Sequence, residues 1–307
     1  MSLLFLFSRH VFYGEKKLST DNSACGLGLA KVNPPPMKYR PDTTAIKQIE
    51  GCFNLRIAGV LGSLDEKIEL NRRKIAELEA LTKTIYDYWF VQFDFPDVNG
   101  RPYRSSGGKM VWNEDLKREI PDGWQVVPLE KISTITMGQS PTGRDLNESG
   151  LGVAFFQGSS DFGRVSPLER VYTTAPTRMA MPGDILLSVR APIGAINIAL
   201  HKCCIGRGLA SLRGKGCSNS FIRQTLSLIK SRFDSANKDG TTFGSLSAPE
   251  LRGFLVVQPP IAIMEQFDNI AKPAEEDIMS RVRGIRELTS LRDTLLPLLM
   301  NGQAVVK

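Results

Sequence analysis

Leu64-Asp65-Glu66-Lys67-Ile68-Glu69-Leu70-Asn71-Arg72-Arg73-Lys74-Ile75 lies inside a stretch whose apolar residues recur in alternating steps of three and four. The series runs Ile57, Leu61, Leu64, Ile68, Ile75, Leu78, Ile85 and Trp89, with Asn71 and Thr82 as its polar members. A mean period of about 3.5 residues predicts a helix that seeks an apolar partner along its whole length. The register returns near the other end of the chain as Phe267, Ala271, Ala274, Ile278, Ile285, Leu288, Leu295 and Leu299, interrupted by Arg281 and Arg292. Each rod of about 33 residues would be about 50 Å long at about 1.5 Å per residue, longer than a globular core needs. Two such rods flanking a middle domain look like a spacer that sets a distance.

Composition fits that outline. The chain has 307 residues, 42% of them hydrophobic and 23% charged, enough to bury a sizeable core. No run approaches the ~20 apolar residues that span a bilayer. Met1-Ser2-Leu3-Leu4-Phe5-Leu6-Phe7 lacks the basic start and small-residue cleavage site of a signal peptide, so the compartment is read as cytoplasm. The five cysteines, Cys25, Cys52, Cys203, Cys204 and Cys217, have no C-x-x-C spacing and are read as reduced thiols. With only His10 and His201 there is little material for a metal site or a His-based triad. The net charge of +7 is unevenly placed: residues 121–262 hold 15 basic against 10 acidic side chains, while the rods are nearly neutral. Partner helices are expected to be balanced, and a polyanion-binding domain basic.

Residues 1–54 show no lasting period and are read as irregular. Residues 55–96 are the first rod, closed by the aromatics Tyr86, Tyr88, Trp89, Phe90, Phe93 and Phe95 before Pro96. That cluster is expected to be a plug seating the rod on the next domain rather than a base-stacking surface, since aromatics mostly pack. Residues 97–123 read as a connector, with a short helix at Leu116–Ile120 and a turn at Pro121-Asp122-Gly123. Residues 124–262 alternate short apolar runs with Gly/Pro turns, which predicts an antiparallel or mixed, strongly curved sheet with one helix over Ser218–Arg232. Residues 263–303 are the second rod and 304–307 a tail. The fold class is α+β.

No G-x-S-x-G elbow or G-x-G-x-x-G loop is present. The P-loop hinted at by Gly107-Gly108-Lys109 fails, because Tyr103 stands at its first glycine and Met110 at its Ser/Thr. The middle domain instead offers polar side chains on glycine-rich loops: Gln139 and Ser140, Gln157 and Ser159, Ser188 and Arg190, and Arg207, with a further loop at Gly240–Ser245. Glycines let backbone approach a ligand, Gln and Arg reach adenine and guanine edges, and Ser reaches phosphate. These seven residues are the candidate DNA-binding set; no catalytic or metal-ligating residue is assigned.

Several segments together resemble the specificity subunit of type I restriction–modification systems, in particular its second half. They include Leu64–Arg73, Ile85–Pro96, Tyr103–Met110, Lys117–Pro121, Gly183–Pro192, Cys204–Gly208 and Leu291–Gly302, covering about residues 55–303. The resemblance implies recognition domains that each read half of a split site in double-stranded DNA, held apart by two helices forming an antiparallel coiled coil. It also implies partners: a modification subunit carrying S-adenosylmethionine, and a restriction subunit carrying ATP hydrolysis, Mg and cleavage. This chain itself would hold no cofactor and catalyse nothing.

A complete member reads domain, rod, domain, rod, whereas one domain is legible here. One head and one half-site, self-association to supply a second head, and a truncated, inactive remnant are all compatible with that pattern. Two rival readings are an assembly protein that binds no nucleic acid and a methyltransferase in its own right.

Overall fold

The computed structural model describes residues 43–238, 245–301 and 303–304. The chain divides into two compact units, one of residues Leu64–Thr294 and one of Met1–Ser63 with Leu295–Lys307. In the second of these, Ile57 and Leu299 are buried members of the heptad series. All that follows concerns Leu64–Thr294.

Helix α1, Thr43–Tyr86, runs into a π-helical turn at Asp87–Val91. The turn is closed by Gln92 N–H donating to Asp87 O at 2.8 Å and Asp94 N–H to Tyr88 O at 2.9 Å. Phe93 then takes a left-handed backbone, φ 67°, a conformation that costs an aromatic residue about 1 kcal/mol or more. Its environment holds it there: the ring is fully buried, edge-on to Trp124 at 5.5 Å and under the Arg118 guanidinium at 4.5 Å.

Hairpin β1 (Met110–Asn113) and β2 (Arg118–Pro121) occupies the connector. The short helix expected at Leu116–Ile120 is therefore corrected to a strand. Asn113 Oδ1 accepts from Leu116 N–H at 2.9 Å and Lys117 enters the left-handed region, which folds the segment back on itself before a helical turn can form. Gly123, φ +83°, makes the turn into β3, Gln125–Pro128.

The head then proceeds as α2 (Leu129–Ile132), β4 (Ser133–Met137), β5 (Leu146–Asn147), β6 (Val153–Phe156), β7 (Val171–Thr173), β8 (Met179–Ala180), β9 (Ile185–Ser188), β10 (Ile196–Ile198), β11 (Cys203–Ile205) and β12 (Leu209–Gly214). Helix α3 (Asn219–Lys238), α4 (Ala248–Arg252), β13 (Leu255–Gln258) and α5 (Ile261–Met300) complete it. Two sheets matter for function: β10-β9-β12-β4, wholly antiparallel, and β5-β7-β6-β11-β8, mixed because β6 and β11 run parallel. Between them lie Phe156, Ala180, Leu186, Ala199, Cys203, Ile205 and Leu209. Strand β9 is apolar without a break because both its faces are covered: Leu186 joins that layer, whereas Ile185 and Leu187 face the larger core with Phe221 of α3. The α+β class expected from the sequence is what the structure shows.

The helices α1 and α5 pass side by side and antiparallel. Asp65 meets Arg292 at 3.0 Å, Asn71 meets Arg281 at 3.2 Å, Ile75 shares a cluster with Ile278, and Trp89 packs on Phe267 at 6.2 Å. Residue numbers rise on one helix as they fall on the other. The polar interruptions of the heptads are thus one another's partners or are satisfied locally, as Thr82 is by Leu78 O at 2.8 Å. The aromatic plug is buried apart from Tyr88, and it joins both helices to the head. Cys203 and Cys204 are buried thiols and Cys217 a partly buried one, with burial pushing Cys203 up to about 12 and Cys217 up to about 11. The side chains of Cys25 and Cys52, and the segment 1–42 expected to be irregular, lie outside the described residues. Where the sequence reading began the first rod at residue 55, helix is already present from Thr43.

Phe267→Ala is expected to lower stability by about 3–5 kcal/mol, since it empties the junction of two helices and the head. Asn71→Leu should shift stability by at most about 1.5 kcal/mol, the net worth of one hydrogen bond, because Arg281 keeps Asp277 at 2.9 Å. Urea-unfolding midpoints check both.

Candidate nucleic-acid interface

Strands β4, β6, β9 and β11 all end, and β12 begins, at one end of the paired sheets. The chain crosses there from the five-stranded to the four-stranded sheet through Gly206-Arg207-Gly208, and this short crossing draws the neighbouring loops together. Gly138 N–H donates to Leu209 O at 2.9 Å, Gln139 N–H to Ile205 O at 2.9 Å, and Gly206 N–H to Phe156 O at 2.8 Å. Gly208 N–H donates to Gln157 O at 3.1 Å, and Val189 N–H to Gly208 O at 2.9 Å.

Glycine is required at this crossing. A Cβ on Gly138 would stand 2.2 Å from the Gly206 carbonyl oxygen, and one on Gly208 would stand 2.6 Å from that of Gln157. Both obstacles are backbone, so no side-chain rearrangement would relieve them.

Six of the seven candidate residues fall on this edge. Ser140 Oγ donates to Gln157 Oε1 at 2.9 Å and accepts from Arg207 N–H at 3.3 Å, linking three separate loops. Gln139, Gln157 and Arg207 are exposed and Ser140 half-buried. Ser159 opens the 3-10 turn Ser159–Asp161 next to Gln157, and Asp161 spends its carboxylate on the Gln157 and Gly158 N–H groups and on Arg170. Arg190 is exposed just past the end of β9 and bridges Ser245 through its backbone.

Ser188 does not reach that surface. It is fully buried, with its hydroxyl donating to Pro192 O at 2.6 Å and accepting from Ala195 N–H at 2.8 Å, so it builds the turn that carries Arg190. Of the loop read at Gly240–Ser245, only Ser245 lies within the described residues.

Two residues that sequence reasoning passed over belong to the same edge. Arg178 accepts Ile205 N–H on its carbonyl at 2.9 Å, and its neighbour Thr177 donates to Gln139 O. Arg144 sits in the turn Gly143–Asp145 that follows Gln139. The signal available was positional, since both lie in turns beside the glycine-rich loops that were singled out. Arg144, Arg178, Arg190 and Arg207 are all exposed, and among the described residues none has a carboxylate within 4.0 Å. The basic residues facing the helices behave otherwise. Arg164 and Arg223 approach Glu79, and Arg286 pairs with Glu169 at 3.0 Å.

Buried Asp184, the one carboxylate of the Gly183–Pro192 segment, accepts from Met181 N–H at 2.7 Å, Ser211 at 2.9 Å and Arg213 at 2.5 Å. It is fully engaged in holding a turn. Among the described residues no cluster of His, Cys, Asp and Glu could hold a metal ion, and no helix is long and apolar enough to cross a membrane.

No family model matches the chain. Known proteins do. The MjaX type I restriction enzyme specificity subunit of Methanocaldococcus jannaschii is 34% identical over 193 residues, covering 62% of this chain and 45% of that protein. The MjaIX specificity subunit of the same organism is 25% identical over 268 residues, covering 82% of this chain and 59% of the relative. Among solved structures, the HsdS subunit from Thermoanaerobacter tengcongensis matches 82% of this chain and 58% of its own at 26% identity, with a TM-score of 0.45. A chain from a structure of type I restriction–modification complex assembly matches 84% of this chain and 60% of its own at 27% identity, with a TM-score of 0.44. The S subunit from M. genitalium gives 16% identity and 0.49, covering 83% and 59%. The chain thus spans about half the length of the curated relatives it matches. The resemblance to the specificity subunits of type I restriction–modification systems is thus shown over the matched part of the chain.

Proposed function

We propose that this chain is a sequence-specific DNA-binding specificity subunit that reads one half of a bipartite site with the loop edge and docks a modification subunit on its paired helices. The observation that carries the reading is the grouping of four exposed arginines, without acidic partners among the described residues, beside Gln139 and Gln157. Unpaired guanidinium groups on a surface are available to phosphate oxygens and guanine edges, and Gln to adenine. The edge supplies no nucleophile, no metal ligands and no cofactor loop. As the family resemblance implies, S-adenosylmethionine, ATP and Mg are assigned to the modification and restriction subunits, and catalysis with them. The one head among the described residues would read one half-site.

Full-length chain should hold random-sequence duplex at low salt and release it by about 0.3 M. Arg207→Ala or Arg178→Ala should either relax preference at one base position, at a cost of about 1–3 kcal/mol, or weaken all sequences alike and lower the log–log salt slope by about 0.9. Fluorescence anisotropy across a salt series reads both effects. If neither variant moves affinity or slope, the edge is not the DNA surface, and a chain that binds no duplex at all is an assembly protein.

Gly138→Ala should cost about 1–3 kcal/mol and weaken DNA binding together with stability, because it forces three loops apart. Ser188→Ala should cost a similar ~1–3 kcal/mol by stranding the Ala195 N–H, yet leave base preference intact. Chemical denaturation beside the anisotropy series separates the two.

A further inference from the structure

At the opposite end of β4 from the loop edge lies an open cleft of about 380 Å³ lined by Glu130, Lys131, Ser133, Thr134, Ile135, Lys215 and Arg252. Its three cations come from three separate segments and are fixed by main-chain bonds. Leu129 N–H donates to Phe254 O at 2.8 Å, which sets the start of α2 beside the end of α4, where Leu129 and Leu251 are fully buried. Lys215 N–H donates to Ile132 O at 2.8 Å and its ammonium to Glu130 O at 3.0 Å. Lys131, Lys215 and Arg252 are all exposed, and among the described residues none lies within 4.0 Å of a carboxylate. Glu130 is the one acidic side chain on the rim. A cleft walled by three such cations, with the exposed Thr134 hydroxyl beside them, has the chemistry of a phosphate site.

Its placement points to the source of the phosphate. Strand β4 is the outer strand of its sheet, so its free edge runs from the cleft to Gln139 without cover from another strand. Ser133-Thr134-Ile135-Thr136-Met137 carries no charge along that edge. Six residues separate Ser133 from Gln139, about 20 Å at about 3.3 Å per residue. Phosphates on one strand of a duplex repeat about every 3.4 Å along the axis, so the same span covers about six of them. The geometry points to the Lys131–Lys215–Arg252 cleft as a second, sequence-independent contact that takes a DNA phosphodiester about six base pairs from the bases under the loop edge. This inference rests on the loop edge being the DNA surface.

The test compares the chain with a Lys131→Gln, Lys215→Gln, Arg252→Gln variant on random-sequence duplex and on duplex carrying a preferred site selected beforehand from a random-sequence pool. The triple variant should bind both more weakly by the same factor, keep its preference for the selected site, and lose about 0.9 from the log–log salt slope, the share of one phosphate. Exchanging the three cations as Lys131→Arg, Lys215→Arg and Arg252→Lys should restore the slope, which a folding defect in the first variant would not explain. An unchanged slope with the wild-type chain bound to DNA overturns the inference and leaves the loop edge standing. Loss of site preference in the triple variant also overturns it, because the cleft would then belong to base reading. If the wild-type chain binds no duplex, the DNA-binding reading falls and this inference with it.

Discussion

The structure depends on one packing event, the meeting of Phe267 from α5 with Tyr86 from α1, Trp89 and Phe90 from the π-helical turn after it, and Phe221 from α3. Ring centroids lie 5.2–6.4 Å apart around Phe267, mostly tilted or edge to face, the arrangement favoured by aromatic quadrupoles. Both long helices and the head contribute, so none of the three can be repositioned without opening the others. The π-helical turn and the left-handed Phe93 follow from this junction: the chain leaves α1 by whatever path keeps Trp89, Phe90 and Phe93 all pointing into the core. Local backbone cost is accepted because the aromatic burial it permits is larger.

With the head seated, the loop edge is a consequence of topology. Parallel pairing of β6 with β11 and antiparallel pairing of β12 with β9 and β4 bring five strand ends to one side. The three-residue crossing at Gly206–Gly208 then leaves no room for a Cβ on the backbone it touches. A surface assembled by main-chain hydrogen bonds keeps its outward side chains free. Gln139 and Arg207 project from positions whose backbone N–H groups are already bonded, while the Gln157 side chain spends its Oε1 on Ser140.

Legibility in the sequence followed the length of the signal. The two rods were readable because ten heptad positions on each repeat one register, and even their polar exceptions proved to be partners, as Asn71 with Arg281 shows. The loop residues were readable as a set because glycine marks close backbone approach. Ser188 was misplaced because β9 ends there and the following turn folds Pro192 and Ala195 over its hydroxyl, a closure that strand alternation alone does not reveal. Arg144 and Arg178 were missed because their turns become neighbours of Gln139 through pairing across the sheet. The β1–β2 hairpin was missed because one side-chain bond from Asn113 outweighs the weak helical preference of five residues.

The arginines of the head divide into two populations, and the division bears on how the molecule works. Arg164 and Arg223 of the head face the paired helices and find Glu79 or a backbone carbonyl, and Arg286 of α5 reaches from the helices to Glu169 and Pro167 O of the head. Arg223 is also deeply buried, with two guanidinium nitrogens lacking any partner among the described residues. Unpaired donors in the interior are costly, so this seating of the head carries that cost against the approach of Arg223 to Glu79 at 3.6 Å. Arg144, Arg178, Arg190 and Arg207 find no acidic partner among the described residues. Exposed ion pairs contribute little to stability, so pairing these four with carboxylates would have added little to the fold while cancelling the positive potential of the edge. The charge pattern therefore separates two groups: guanidinium groups at the contact of head and helices approach carboxylates or carbonyls of the chain, and those of the loop edge leave its positive potential uncancelled by the described residues.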